Sequence, residues 1–274
     1  DGFIKVAAIT SNVHLNDIDS NVNDIVSKAK EANEMGAKII TFQELALTGY
    51  SLQDMFAQSN TLEKAKEGLI EITNKTKDLD LLMVVSLPYS FKGKIYDTAA
   101  VISKGKILGI ATKKYLPNYN EFYDARYFTP SFDENEVTEI DGNLIPIGPK
   151  LLFHCREIEN LTIGIEICED LWTPDTPSTH HTMNGATLIL NPSASNEMVG
   201  KENYRKSLIC ATSARLICAY VYAGAGEGET SQDVVYSAPL IIAENGNLLG
   251  EKNDFNNHII VKDIDVDLLS FRRR

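Results

Sequence analysis

No run in this 274-residue sequence reaches the ~20 apolar residues that a membrane-spanning helix needs, and the opening "DGFIKVAAITSN" has neither a basic leader nor a long apolar core. The expectation is a cytoplasmic protein without a membrane partner. Basic residues are also few: 26 Lys and Arg stand against 38 Asp and Glu, for a formal net charge of -12. Nucleic-acid affinity comes chiefly from Lys and Arg neutralising phosphates, so no nucleic-acid partner is expected. The four cysteines, Cys155, Cys168, Cys210 and Cys218, make no C-x-x-C and no close-spaced disulfide framework, which points to free thiols in reducing surroundings. Metal signatures are missing as well, with no H-E-x-x-H, no paired cysteines and no EF-hand loop. Without long polar linkers, repeats or low-complexity tracts, residues 1–274 read as a single domain.

What is present is an ordinary globular composition, 43% hydrophobic and 23% charged, which argues against disorder. "IKVAAI" reads as a buried strand, and Val22, Ile25, Val26, Ala29, Ala32 and Met35 then recur at helical spacing until Gly36 stops the helix. "KIITF" (38–42) is a second strand, so the chain opens as the strand-helix-strand unit of parallel sheet. A helical stretch near 61–77 leads to "LLMVVSLP", and "DTAAVISKGKILGIATKKYLP" reads as a hairpin about "SKGK". Residues 130–149 are polar and poorly patterned. "LLFHC" and "LTIGIEIC" are two further strands, with Cys168 ending the second. "ATLIL", a helix near 202–216 and "CAYVYA" repeat the opening order, and "YSAPLIIA" and "HIIVKDI" add late strands around the turn "ENGN". Mixed sheets with helices on their outer faces are expected.

Alone, Cys168 reads as a structural thiol, because free cysteines are commonly buried and inert. Its company changes that reading. Glu44 directly follows the "IITF" strand, and Lys113 leaves another strand just before a proline loop. Each alone reads as a solvated surface charge. Together they supply what acyl transfer needs: a thiol, a carboxylate able to take its proton in a dry pocket, and a cation for the oxyanion. A Cys/His mechanism would have to use His180 or His181, of which at most one can face the thiol. The glycine-rich "GAGEGETSQD" (224–233) lacks the G-K-[ST] of a phosphate loop and reads as a plain loop. The aromatics of "YLPNYNEFYDARYF" read equally as core packing or as the wall of a small-molecule pocket.

In that order, Glu44 in "FQELALTGY", Lys113 in "KKYLPNYNEFY" and Cys168 in "GIEICEDLW" resemble the Glu-Lys-Cys triad of the nitrilase superfamily, whose members cleave carbon-nitrogen bonds. Longer strings, "ELALTGYSLQDMF", "EICEDLWTPDTPS", "NPSASNEMVGKENYRKSL" and "ATSARLICAYVYAGAGEGETSQDVVY" among them, are similar to the glutaminase domains of glutamine-dependent NAD synthetases. The likeness runs from about residue 3 to the end. It implies an α/β fold, a four-layer α-β-β-α sandwich, and hydrolysis of L-glutamine to glutamate and ammonia. The ammonia would serve the ATP-dependent amidation of nicotinic acid adenine dinucleotide. On this resemblance Glu44 is the general base, Lys113 (three before Leu116, hence not Lys114) stabilises the oxyanion, and Cys168 is the nucleophile that forms a glutamyl thioester.

The resemblance further makes Glu121 an additional pocket glutamate, and places Tyr50, Tyr119, Phe122, Glu169 and Ser195 around the glutamine, with Lys201 where some relatives carry arginine. The glutaminase reaction needs no metal or organic cofactor. The S-G-G-x-D-S loop of the family's synthetase domain does not occur here, so ATP and magnesium would belong to a covalent continuation, and the sequence reads as the N-terminal piece of a longer chain. Relatives assemble through this domain, which implies a homo-oligomer. The alternatives are a free-standing amidase of the same superfamily acting on another small amide, and a non-catalytic scaffold.

Overall fold

The structure is a computed structural model that describes residues 2–274. Its first half alternates β1 (Phe3–Ile9), α1 (Ile18–Glu34), β2 (Ile39–Phe42), α2 (Ser59–Lys75) and β3 (Leu82–Phe91), then β4 (Lys94–Ser103) and β5 (Lys106–Thr112). After α3 (Asp124–Tyr127) come β6 (Glu136–Ile140), β7 (Asn143–Gly148), β8 (Leu152–His154) and β9 (Thr162–Ile165). The second half continues with α4 (Pro177–Met183), β10 (Leu188–Ser193), α5 (Lys201–Leu216) and β11 (Ala219–Gly224). It closes with β12 (Leu240–Glu244), β13 (Asn247–Lys252), β14 (Ile259–Asp265) and α6 (Val266–Arg272).

Among the described residues the strands form two sheets, one in the order β14-β1-β2-β3-β4-β5-β7-β6 and the other β13-β12-β11-β10-β9-β8. Side-chain alternation along the strands builds four layers from them. Ala7 and Ile9 of β1 pack with Val22, Ile25 and Ala29 of α1 and with Leu69 and Ile72 of α2, while Val6 and Ala8 point the other way, into a core shared with Leu188, Leu190, Val221 and Ile242 of the second sheet. On the far side Ile189, Tyr220 and Ile241 pack beneath Ile209 of α5. The order helix, sheet, sheet, helix is thus the four-layer α-β-β-α sandwich that the resemblance implies. α1 starts where Asp17 accepts the Ser20 amide at 3.1 Å, and ends at Gly36, whose φ of +86° suits a residue without Cβ. No helix among the described residues is long and apolar enough to cross a membrane.

Four expectations are corrected. Residues 130–149 hold the hairpin of β6 and β7, which the sequence hides because it lies at a sheet edge and buries only Ile140, Ile145, Ile147 and Gly148. The "ENGN" turn joins β12 to β13, whereas "HIIVKDI" becomes β14 and crosses to the other sheet, antiparallel to β1. A second hairpin, from Phe91 to Lys94, precedes the one at "SKGK". β9 ends at Ile165, so Cys168 stands beyond the strand, as the first residue of a 3-10 turn over Cys168–Trp172.

Candidate active site

The fold brings three chain segments to one point. Glu44 follows β2, and its amide donates to the Ser193 carbonyl at 3.2 Å, tying the first sheet to the end of β10 in the second. Lys113 follows β5, and its amide donates at 3.0 Å to the carbonyl of Asp97 on the neighbouring β4. Cys168 comes from the second sheet. Its φ is +46°, a region that costs a non-glycine residue about 1–3 kcal/mol and persists only where the surroundings hold it.

Those surroundings are visible. The Cys168 amide donates to Oδ1 of Asn191 at 3.0 Å, Asn191 Nδ2 donates to the Tyr220 hydroxyl at 2.8 Å, and that hydroxyl donates to Glu166 Oε1 at 2.5 Å. Glu166 Oε2 in turn accepts the Ser178 amide at 2.8 Å, which anchors the relay on α4. Asp170 adds a second brace: Oδ2 accepts the Ile167 amide at 2.9 Å, while Oδ1 accepts the amides of Lys114 and Tyr115 at 3.1 and 2.9 Å. The cysteine turn and the lysine loop are therefore fastened to one carboxylate. Burial lifts the Asp170 carboxyl to about 7 although these amides pull the other way.

The triad is nearly dry: Glu44 and Lys113 are 0% and 1% exposed and Cys168 4%. Lys113 Nζ donates to Glu44 Oε1 at 2.5 Å, to Asp124 Oδ2 at 2.9 Å and, at the longer distance of 3.4 Å, to Asp97 Oδ2. Burial alone would depress this ammonium, but the charges of Asp124, Glu44 and Asp97 outweigh it and raise its pKa well above the usual lysine range. These three carboxyls are close enough to hold a cation, and the cation they hold is Lys113. The thiol of Cys168 is pushed well above the usual range by burial and then by Glu44, against the pull of Lys113, the Ser193 hydroxyl and the Ala194 amide. Such a thiol stays protonated at rest, so it attacks only if a base removes its proton.

A cavity of about 390 Å³ opens over Cys168, which lines it together with Tyr119, Phe122, Glu169, Ser195 and Lys201, all expected at the pocket. Glu44 and Lys113 are buried and do not line it, though the charges of both act on the thiol. Tyr119 donates from its hydroxyl to Glu169 Oε2 at 2.9 Å, and Lys201 Nζ sits 5.2 Å from the centre of the Trp172 ring. Tyr50 and Glu121 are placed differently: they line a smaller cavity of about 50 Å³ that meets the first at Phe122. Tyr50 donates to Asp124 Oδ1 at 2.6 Å, and Glu121 accepts from Asn196, whose own oxygen accepts from Lys201. The second carboxylate on Lys113 is therefore Asp124, three residues beyond Glu121. Asp97, Asp124, Asp170 and Asn191 escaped the sequence reading. The one signal for Asp97 was an acid at the head of the apolar run "DTAAVI".

Neither histidine serves the thiol. His180 bonds Asp175 at 2.7 Å on the surface, and His181 Nε2 reaches the Ile165 carbonyl at 2.9 Å, packed so closely that a Cβ on Gly164 would lie 2.8 Å from it. Burial lowers the His181 pKa to about 4. An unfolded histidine takes up a proton near 6.5 while this one does not until about 4, so the stabilisation is complete above 6.5 and lost as pH falls toward 4. In urea melts between pH 4.5 and 7, His181→Gln should flatten that slope by up to about 3 kcal/mol. An unchanged slope would place the titration elsewhere. Beyond Gly224, which ends β11, the glycine-rich segment is a loop, as expected, and its half-buried Glu229 accepts the amides of Tyr50 and Ser51 at 2.7 and 3.0 Å, fastening the loop beside the site.

Comparison with known proteins shows the family and the fold. A glutamine-dependent NAD(+) synthetase of Mycobacterium leprae is 36% identical over 274 residues, a match covering 99% of this chain and 40% of that protein. The chain thus spans about two fifths of the length of the curated relatives it matches. Among solved structures, a glutamine-dependent NAD(+) synthetase from Cytophaga hutchinsonii superposes with a TM-score of 0.86 at 29% identity, covering 96% of this chain and 43% of that one. An amidase from Nesterenkonia superposes at 0.75 over 98% of this chain and 93% of its own, but at 21% identity it speaks to the fold alone. The family model described as carbon-nitrogen hydrolase matches residues 5–274, and the chain belongs to that family.

Proposed function

We propose that this protein hydrolyses L-glutamine to glutamate and ammonia through a thioester on Cys168. The observation that carries the substrate is the cavity wall: a carboxylate, Glu169, and an ammonium, Lys201, face the same space as the thiol. An α-amino acid presents one ammonium and one carboxylate, so these side chains complement its head group while the side-chain amide reaches the sulfur. Glu44 takes the thiol proton as sulfur bonds the amide carbon, and Lys113 stabilises the negative oxygen. Glu44 then returns the proton to nitrogen, ammonia leaves, and water activated by the same carboxylate cleaves the thioester. No metal or organic cofactor enters this route.

The names of the longer relatives support the wider role. Ammonia would pass to an ATP- and magnesium-dependent synthetase domain continuous with this one, for amidation of nicotinic acid adenine dinucleotide, in a cytoplasmic homo-oligomer. The substrate is tested by comparing L-glutamine with butyramide, which lacks the head group. Glutamine should be preferred in kcat/KM by about 100-fold or more, since paired charges left without partners are costly. Equal or better turnover of butyramide would mean a free-standing amidase of small amides.

A further inference from the structure

Two of the three carboxyls around Lys113 keep an oxygen with nothing to bond. Glu44 turns Oε1 to the lysine and leaves Oε2 without a partner; Asp97 turns Oδ2 to it and leaves Oδ1 without one. Both side chains are inaccessible to solvent, and one oxygen from each of Glu44, Asp97 and Asp124 lies within 4.8 Å of the others. Fully ionised, three carboxylates and one ammonium would hold two excess negative charges where no water reaches, and two lone oxygens would face like charge. One proton shared between Asp97 and Glu44 halves the excess charge and gives both lone oxygens a partner.

We propose that Asp97 is a neutral carboxylic acid at pH 7 that donates from Oδ1 to Oε2 of Glu44, and so acts as a positioning residue for the base. The proton belongs on Asp97 because its anion is the least supported of the three. Asp124 accepts from Tyr50 at 2.6 Å and Lys113 at 2.9 Å, and Glu44 from Lys113 at 2.5 Å, against a single contact of 3.4 Å for Asp97. Burial first and the Glu44 charge second raise the Asp97 carboxyl well above the usual range, which Lys113 only partly offsets. Of the other groups near this centre, the Cys168 thiol and the Tyr50 and Tyr236 hydroxyls are held neutral by burial, and the Glu169 and Glu229 carboxyls, which feel the same charges, are likewise pushed up by burial first. With Lys113 on one oxygen and Asp97 on the other, the Glu44 carboxylate cannot rotate, yet each oxygen keeps a second lone pair for the thiol proton. The backbone bond from Lys113 to Asp97 fixes the donor in turn.

The role assigned to Glu44 rests on the proposed reaction, so the test avoids glutamine. Alkylation of Cys168 by iodoacetate, which carries no amide, followed by peptide mass spectrometry across pH 6–9, reads thiol activation without any amide substrate. Asp97→Asn offers an amide N–H to Glu44 and a carbonyl to Lys113, whereas Asp97→Leu offers neither. The Asn variant should alkylate within about threefold of the parent at every pH, and the Leu variant about 100-fold more slowly. At pH 7 the infrared spectrum of the parent should carry a carboxylic-acid C=O band that Asp97→Asn lacks. A folded Asn variant as slow as Leu, or an infrared spectrum with no acid band lost, overturns the assignment. If circular dichroism shows Leu unfolded, the Asn variant and its spectrum decide alone.

Discussion

Cys168→Ala should release neither glutamate nor ammonia from L-glutamine, a fall in turnover of about 10⁴-fold or more, because no other group near the cavity is a comparable nucleophile. The stability change should be small by comparison. The relay from Glu166 through Tyr220 and Asn191 ends on the backbone amide of residue 168, not on its sulfur, so it survives the substitution. Asp170 likewise bonds only backbone amides of neighbouring residues. A thermal melt within a few degrees of the parent, with activity gone, separates loss of the nucleophile from loss of the turn. Residual glutamine hydrolysis by a homogeneous Cys168→Ala preparation would remove the sulfur from the mechanism.

Lys113→Met should lose both properties at once. Among the described residues the ammonium is the sole counter-charge within hydrogen-bond reach of Glu44 and Asp97, and its removal leaves buried carboxyls without a cation. Breaking one partner out of a buried ionic group costs about 3–5 kcal/mol, which for a domain of this size is a fall in melting temperature of about 10 °C. Activity should drop at least about 10²–10³-fold from loss of the oxyanion partner. The pH dependence gives the sign. Lys113 holds down carboxyls whose pKa burial has already raised, so without it those of Asp97 and Asp124 climb further. A carboxyl with a folded pKa above its unfolded value binds more protons when folded, so stability grows as pH falls through that window. The deficit of Lys113→Met should therefore narrow between pH 8 and 5. A variant as stable as the parent at pH 8 would show that the three acids do not depend on the lysine.

What the sequence told of this molecule follows from how local each feature is. α1 was legible because its apolar period and its Gly36 stop sit within one stretch. The outward edge hairpin of β6 and β7 was not, since Val137 and Leu144 stay exposed and the inward pattern is only a few residues long. The triad residue types stand at strand ends, where a reader of α/β sheets looks for them. Asp97 gains its place only through register: β4 and β5 pair Thr98 with Thr112, which sets the next residues, Asp97 and Lys113, side by side. Nothing within ten residues of Asp97 announces that neighbour. Asn191 and Tyr220 meet Cys168 by the same kind of long-range alignment, across parallel β10 and β11.

The pairing of β14 with β1, Ile259 against Ile9 and Asp265 against Phe3, joins the last of the described strands to the first. On a ribosome, β1 and β2 emerge before the other described strands and carry Glu44 at their margin, yet one side of β1 has no partner until nearly all the described chain has been translated. Through that interval its amides and carbonyls are open to any extended segment that passes, the hazard of an unfilled sheet edge. Glu44 is thus tied to a pairing that waits for every other described strand. The base-bearing sheet is sealed by residues encoded far downstream of the base itself, so the speed of translation and the reach of chaperones bear on how much of the protein ever holds Glu44 in its dry setting.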